Sequence, residues 1–219
     1  MVLDVQDPGA SSSRRVELVR DTIVFAGVSG SLLDSNAGLL TVTTFNQQTP
    51  RKVKAALEVF RGLDLRGLVL DLRENGGGSY SESCQAAGYF VGNAAPLWLV
   101  RQVGQANAKA VQASTQREWD KPIVVLVGSK TAGSGELLAS ALKSSGRAKL
   151  LGQTTSGTVS LKSLEKQPDG TSRKVEQAHC FTVQDERILG QGIKPDIALE
   201  AGLSSDEVLK RAIAALPNP

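Results

Sequence analysis

Gly67-Leu-Val-Leu-Asp-Leu-Arg-Glu-Asn-Gly-Gly-Gly78 decides the fold. Its first seven residues are a short and mostly apolar run, the mark of a β-strand covered on both faces. The run opens into Glu74-Asn-Gly-Gly-Gly78. Such a glycine cluster is either a flexible turn or a stretch of backbone that must come close to a ligand with its N–H groups pointing inward. A second run, Pro122-Ile-Val-Val-Leu-Val127, has the same character and leads through Gly128-Ser-Lys-Thr-Ala-Gly-Ser-Gly135 into a helical pattern from Glu136 to Lys143. A strand feeding a small-residue turn and a helix start can present a nucleophile, because helix N-terminal N–H groups stabilise negative charge. Many purely structural strand-to-helix loops have the same form.

Outward from these two strands, the chain alternates between strand and helix signals. Leu39 to Phe45 is β-rich, and Thr49-Pro50 supplies a helix cap followed by proline, with Val53, Ala56, Leu57 and Phe60 at helical spacing and an end near Arg61 and Gly62. Ser79 to Val91 reads as a helix carrying Cys84 and Ala87 on its apolar side. Pro96 to Val100 and the polar stretch to Lys121 predict a strand pair or a loop excursion, and Val175 to Val183 a strand. Ser204-Ser-Asp-Glu207 is a capping box for a last amphipathic helix that Pro217 stops. Near the N-terminus, Val2 to Val5 and Arg15 to Val19 flank the turn-rich Asp7 to Ser13, the pattern of a hairpin.

Composition limits the functions available. The 219 residues, 41% hydrophobic, can bury a sizeable core, and the net charge of +3 comes from 25 basic and 22 acidic residues scattered along the chain. No basic run tracks a phosphate backbone, so nucleic acid is not an expected partner. No apolar stretch approaches the roughly 20 residues of a membrane helix. Cys84 and Cys180 form neither a CxxC pair nor a disulfide framework. His179 is the only histidine, in the strand-like Gln177-Ala-His-Cys-Phe-Thr182, with no acidic side chain evidently placed to orient it for a Ser/His/Asp triad. One histidine and two distant cysteines cannot make a metal site unaided, and no cofactor or metal is expected.

Taken together, the motifs resemble the C-terminal processing (tail-specific) serine proteases. That family shows LDLRxNxGG, matched by Leu70 to Gly78, then PxVVLV, matched by Pro122 to Val127, and a small-residue turn ending in glutamate, matched by Thr131 to Glu136. TTFGKG, PDG and GxGIxPD follow, seen as Thr154 to Val159, Pro168-Asp-Gly170 and Gly190 to Asp196. The resemblance covers roughly Arg14 to Asp196 and implies an α/β, ClpP/crotonase-like core of ββα units at 23–200. On this reading residues 1–22 are the remnant hairpin and linker of a PDZ-like domain, otherwise missing, and 201–219 the C-terminal helix. It also implies unstructured peptide or protein C-terminal tails as partners, an extracytoplasmic setting, and possible homo-oligomers.

In the family a serine attacks the scissile carbonyl while a buried, neutral lysine takes its proton. Backbone N–H groups from the residue after the serine and from the glycine loop hold the oxyanion. By position these donors are Ser134 and Gly77 or Gly78. The serine lies three residues before the turn's glutamate, where this chain has Gly133, and the lysine follows the glycine of TTFG, where this chain has Thr158. Glycine offers no nucleophile and threonine no base at neutral pH. Ser134 and Lys162 are the neighbours that could stand in, Lys162 occupying a position where the family usually has a glutamine supporting the lysine. One step along a helix start turns a side chain by roughly 100° and shifts its Cα by about 3.8 Å. Lys162 is roughly 13 Å beyond Thr158 on an extended strand. The expectation is a family member without ordinary catalysis that still binds peptides; the alternatives are a peptidase using Ser134 with Lys162, and a non-enzymatic assembly scaffold.

Overall fold

A computed structural model describes residues 2–9, 11–17, 27–93 and 95–217. The strands are β1 (Val2–Val5), β2 (Arg14–Glu17), β3 (Val28–Leu33), β4 (Ala37–Val42), β5 (Gly67–Asp71), β6 (Pro96–Gln102), β7 (Lys109–Gln112), β8 (Ile123–Val127), β9 (Ala148–Gly152), β10 (Ser160–Lys166), β11 (Ser172–Phe181) and β12 (Ile197–Ala198). The helices are α1 (Thr49–Arg61), α2 (Tyr80–Val91), α3 (Ser134–Ser144) and α4 (Ser205–Ala215). One six-stranded sheet runs β12-β9-β8-β5-β4-β3, parallel except where β3 pairs antiparallel with β4. A four-stranded antiparallel sheet runs β10-β11-β6-β7.

The two apolar runs are the centre of the larger sheet, and every residue of β5 and β8 is buried. Because successive side chains point to opposite faces, each strand feeds two cores. Leu68, Leu70, Ile123, Val125 and Val127 join a cluster with Val53, Leu57 and Phe60 of α1, Ala87 and Phe90 of α2, and Leu137 and Leu138 of α3. Val69, Val124 and Leu126 meet Val208, Ala212 and Leu216 on the opposite face, where α4 packs. Strands covered on both sides have no polar face to show, which is why these stretches do not alternate.

Both halves of the capping box at the start of α4 follow the sequence: Ser204 Oγ accepts from the Glu207 N–H, and Glu207 Oε2 accepts from the Ser204 N–H at 2.9 Å. The start of α1 differs. Gln48 holds the N-cap place, while Thr49, already helical, accepts from the Asn46 N–H and donates to the Thr44 carbonyl, so its hydroxyl braces the loop before the helix. Gly62 ends the helix in an ordinary right-handed conformation. The polar stretch after β6 resolves into β7, its antiparallel partner. β1 and β2 form the expected hairpin, with Val5 opposite Arg14. Leu18, Val19 and the expected boundary at 22 and 23 lie outside the described residues.

Candidate functional site

Both glycine-bearing turns leave the C-terminal ends of neighbouring parallel strands, and their backbones are tied together. At the end of β5, Asp71 takes the Arg73 guanidinium at 2.7 Å, and Arg73 N–H also donates to it. The Asn75 side chain, fully buried, donates to the Val42 carbonyl at 2.8 Å and accepts the Gly77 N–H at 2.9 Å. Its own carbonyl accepts from Ala132 N–H in the second turn. Thr131 Oγ1 donates to the Leu72 carbonyl and accepts from Gly128 N–H. Two loops far apart in sequence are thereby held in one fixed arrangement.

Gly78 cannot be anything but glycine: its φ is +124°, and a Cβ there would sit 2.3 Å from the Phe45 carbonyl oxygen. That close approach arises because Phe45 bridges to the turn, donating its N–H to Gly77 and accepting the Ser79 N–H. Gly133 is different. It is the N-cap of α3 at φ 51° and ψ −117°, yet a Cβ built on it would meet only the Gly77 Cα, at 3.8 Å. The backbone is strained for an L-residue, and the space in front of it is open.

Gly77, Gly78, Gly133, Ser134, Thr158 and Lys162 all line one cavity of about 370 Å³, together with Tyr80, Leu137 and the start of β10. Within it, Ser134 Oγ donates to the Gly78 carbonyl at 3.0 Å. Thr158 Oγ1 is 2.8 Å from Ser156 Oγ. Gly77 N–H is already committed to Asn75, whereas the N–H groups of Gly78 and Ser134 have no acceptor among the described residues. Lys162 is exposed and sits where the pairing of β10 with β11 slips between Leu161 and Lys162. Such a bulge re-aims side chains and breaks the simple alternation on which a face assignment from Thr158 would rest. Tyr80 accepts the Trp98 indole N–H at 2.7 Å, and burial pushes its hydroxyl well above the ordinary value, so it stays protonated at neutral pH.

The residue that joins the parts is Glu136, fully buried in the first turn of α3. One carboxylate oxygen accepts Thr155 Oγ1 at 2.5 Å and Gly157 N–H at 2.7 Å; the other accepts Gly133 N–H at 3.0 Å, Thr158 N–H at 2.9 Å and Ser156 Oγ at 3.3 Å. A buried carboxylate is normally matched by a cation; here five donors and the helix N-terminus do that work. Glu136 thus fixes Gly133 relative to Thr158. Sequence reading uses it only as a landmark of the turn, although a lone glutamate opening the apolar Leu137-Leu-Ala-Ser-Ala-Leu142 is itself a signal of a buried, satisfied carboxylate.

His179 does not line this cavity. It lies on β11 opposite Arg101 and Ser160, with Nδ1 3.6 Å from Glu176, a carboxylate three residues earlier on the same strand. Cys84 and Cys180 are both free; Cys180 is fully buried, and burial pushes its thiol up to about 12.

Residues 36–199 match peptidase family S41. The chain belongs to this family. Among the proteins it is similar to is the carboxy-terminal processing protease CtpA of Bacillus subtilis, 29% identical over 185 residues, covering 84% of this chain and 40% of the relative. Another is carboxyl-terminal-processing peptidase 2, chloroplastic, of Arabidopsis thaliana, 32% identical over 170 residues, 78% of this chain and 33% of the relative. The chain therefore spans less than half the length of these two relatives. The solved structure of a photosystem II D1 C-terminal processing protease superposes with a TM-score of 0.72 at 27% identity, over 97% of this chain and 58% of that one. The α/β architecture is that of S41 proteases, within the ClpP/crotonase-like folds. No described helix is long and apolar enough to cross a membrane.

Proposed function

We propose that this chain keeps the peptide groove of the C-terminal processing proteases and lacks their hydrolytic chemistry, so that it holds extended, unstructured peptide or protein tails without cutting them. The observation that carries this reading is the pairing of Gly133 and Thr158 across one cavity, each tied through its N–H to the same Glu136 carboxylate. These are the positions that the family resemblance gives to the serine and lysine. Around them the supporting parts are in place: a strained and open nucleophile seat at Gly133, and unclaimed N–H groups of Gly78 and Ser134 for a carbonyl oxygen. β10, an edge strand of its sheet, lends Ser160, Leu161 and Lys162 to the cavity wall, and an extended peptide can add to such an edge through main-chain hydrogen bonds.

The rival reading, a peptidase using Ser134 with Lys162, is weakened by one contact. Ser134 Oγ gives its proton to the Gly78 carbonyl, not to a base, and that direction leaves it no activation as a nucleophile. Its proposed setting, outside the cytoplasm, is drawn from the family. A fluorogenic unstructured peptide separates the two readings. Binding without cleavage supports the first, whereas cleavage lost in Ser134→Ala or Lys162→Ala overturns it.

A further inference from the structure

A second cavity, of about 660 Å³, lies apart from the groove. One wall is the C-terminal half of α3, with Ser140, Lys143 and Ser144; the others carry Thr182, Gln184, Glu186 and Arg187, and Gln191 to Lys194. Its volume is in the range of small-molecule sites. Ser140 is fully buried, and its Oγ has no hydrogen-bond partner. An uncompensated hydroxyl at 0% exposure costs free energy unless something fills the space beside it.

The remaining polar groups are mostly donors. Ser144 Oγ donates to Gln184 Oε1 at 3.2 Å, which leaves the Gln184 amide nitrogen free to donate. Lys143 is committed, to the Lys194 carbonyl at 2.8 Å and to Asp196 at 3.0 Å. Arg187 and Lys194 have no side-chain partner among the described residues, and the one acid on the lining is Glu186. Two unclaimed cations, an amide donor and a buried hydroxyl therefore face one space against a single carboxylate.

We propose that this cavity binds a small oxyanion-bearing molecule, a carboxylate or a phosphate, with Arg187 and Lys194 taking the anionic group and Ser140 a further polar atom. The proposal is independent of whether the groove holds peptides. The cavity is nevertheless joined to the groove. Ile193 N–H donates to Thr155 Oγ1 at 2.7 Å, and Thr155 in turn donates to Glu136.

The test is a two-dimensional amide NMR titration of the intact chain with citrate, with inorganic phosphate and with chloride at matched ionic strength. The expected result is saturable binding of citrate or phosphate, shifting the amides of Ser140, Gly192, Ile193 and Lys194, with chloride inert; which probe binds identifies the anion. Arg187→Glu with Lys194→Glu, both exposed and outside the core, should weaken that binding at least about tenfold with an unchanged melting temperature in plain buffer. Ser140→Ala should weaken it by about three- to tenfold. The proposal is overturned if neither probe saturates below about 50 mM, if shifts scatter over surface lysines and arginines generally, or if the double variant titrates like the parent.

Discussion

Replacing Glu136 by glutamine keeps shape and volume and changes only the hydrogen-bonding ledger at the centre of the site. Each carboxylate oxygen serves donors alone, two on one side and three on the other. The amide must therefore turn its own N–H groups toward donors, whichever way it is flipped. Thr155 Oγ1 retains the Ile193 N–H and Ser156 Oγ retains Thr158, and the one remaining oxygen serves either Gly157 or the pair Gly133 and Thr158; the N–H groups on the other side have no second acceptor among the described residues. At about 1–3 kcal/mol for each group left unsatisfied away from water, with some relief from solvent at the exposed Thr158, the cost of Glu136→Gln is about 2–4 kcal/mol. In a chain of this size that is a fall in melting temperature of roughly 4–16 °C. Urea unfolding followed through the buried Trp98 and Trp119 measures it, with an unchanged slope showing that the unfolded state is unaffected. A Glu136→Gln chain within about 1 kcal/mol of the parent would refute the assignment of Glu136 as the clamp between the two turns.

Gly78→Ala is expected to be among the most destabilising single changes, because the added methyl meets the Phe45 backbone at 2.3 Å and the φ of +124° is closed to alanine; loss of soluble folded protein or a thermal shift of many degrees would register it. Gly133→Ser, by contrast, has room, and should cost only the backbone strain of about 1–3 kcal/mol, read by the same unfolding assay. Cys180 should resist thiol reagents at pH 8 until the chain unfolds, with Cys84 reacting slowly, as counted by mass spectrometry. Since the Cys180 thiol ionises only near pH 12 when folded but near 9.0 when exposed, its contribution to stability is complete below about pH 9 and is lost as the pH rises from there toward 12. Cys180→Ala should flatten that alkaline decline.

The order of strands and helices was legible because the two apolar runs and the capping box of the last helix are local patterns with local causes. Ile123 to Val127 has no polar face to conceal, and Ser204 finds its partner only three residues on. The candidate site was legible only as a set of positions that share a place: the turns that carry Gly77, Gly78, Gly133, Ser134, Thr158 and Lys162 meet at one cavity. Its internal wiring was not. That Gly77 is spent on Asn75, that Ser134 points its proton at Gly78, and that Glu136 collects donors from residues 19 to 22 positions away depend on contacts between separate elements. A bulge at Leu161 and Lys162 likewise shifts register without any glycine or proline to announce it. Thr49 shows the reverse error, a residue of the right type for a cap whose hydroxyl is drawn off by Thr44 and Asn46.

The central claim, an intact groove without nucleophile and base, is tested most directly by restoring both at once. The parent chain and the Gly133→Ser, Thr158→Lys double variant are compared on one fluorogenic unstructured peptide, with binding followed by anisotropy and cleavage by fluorescence. The account predicts that both bind the peptide with affinities within about tenfold and that only the double variant cleaves it. Cleavage by the parent that disappears in Ser134→Ala would contradict the account.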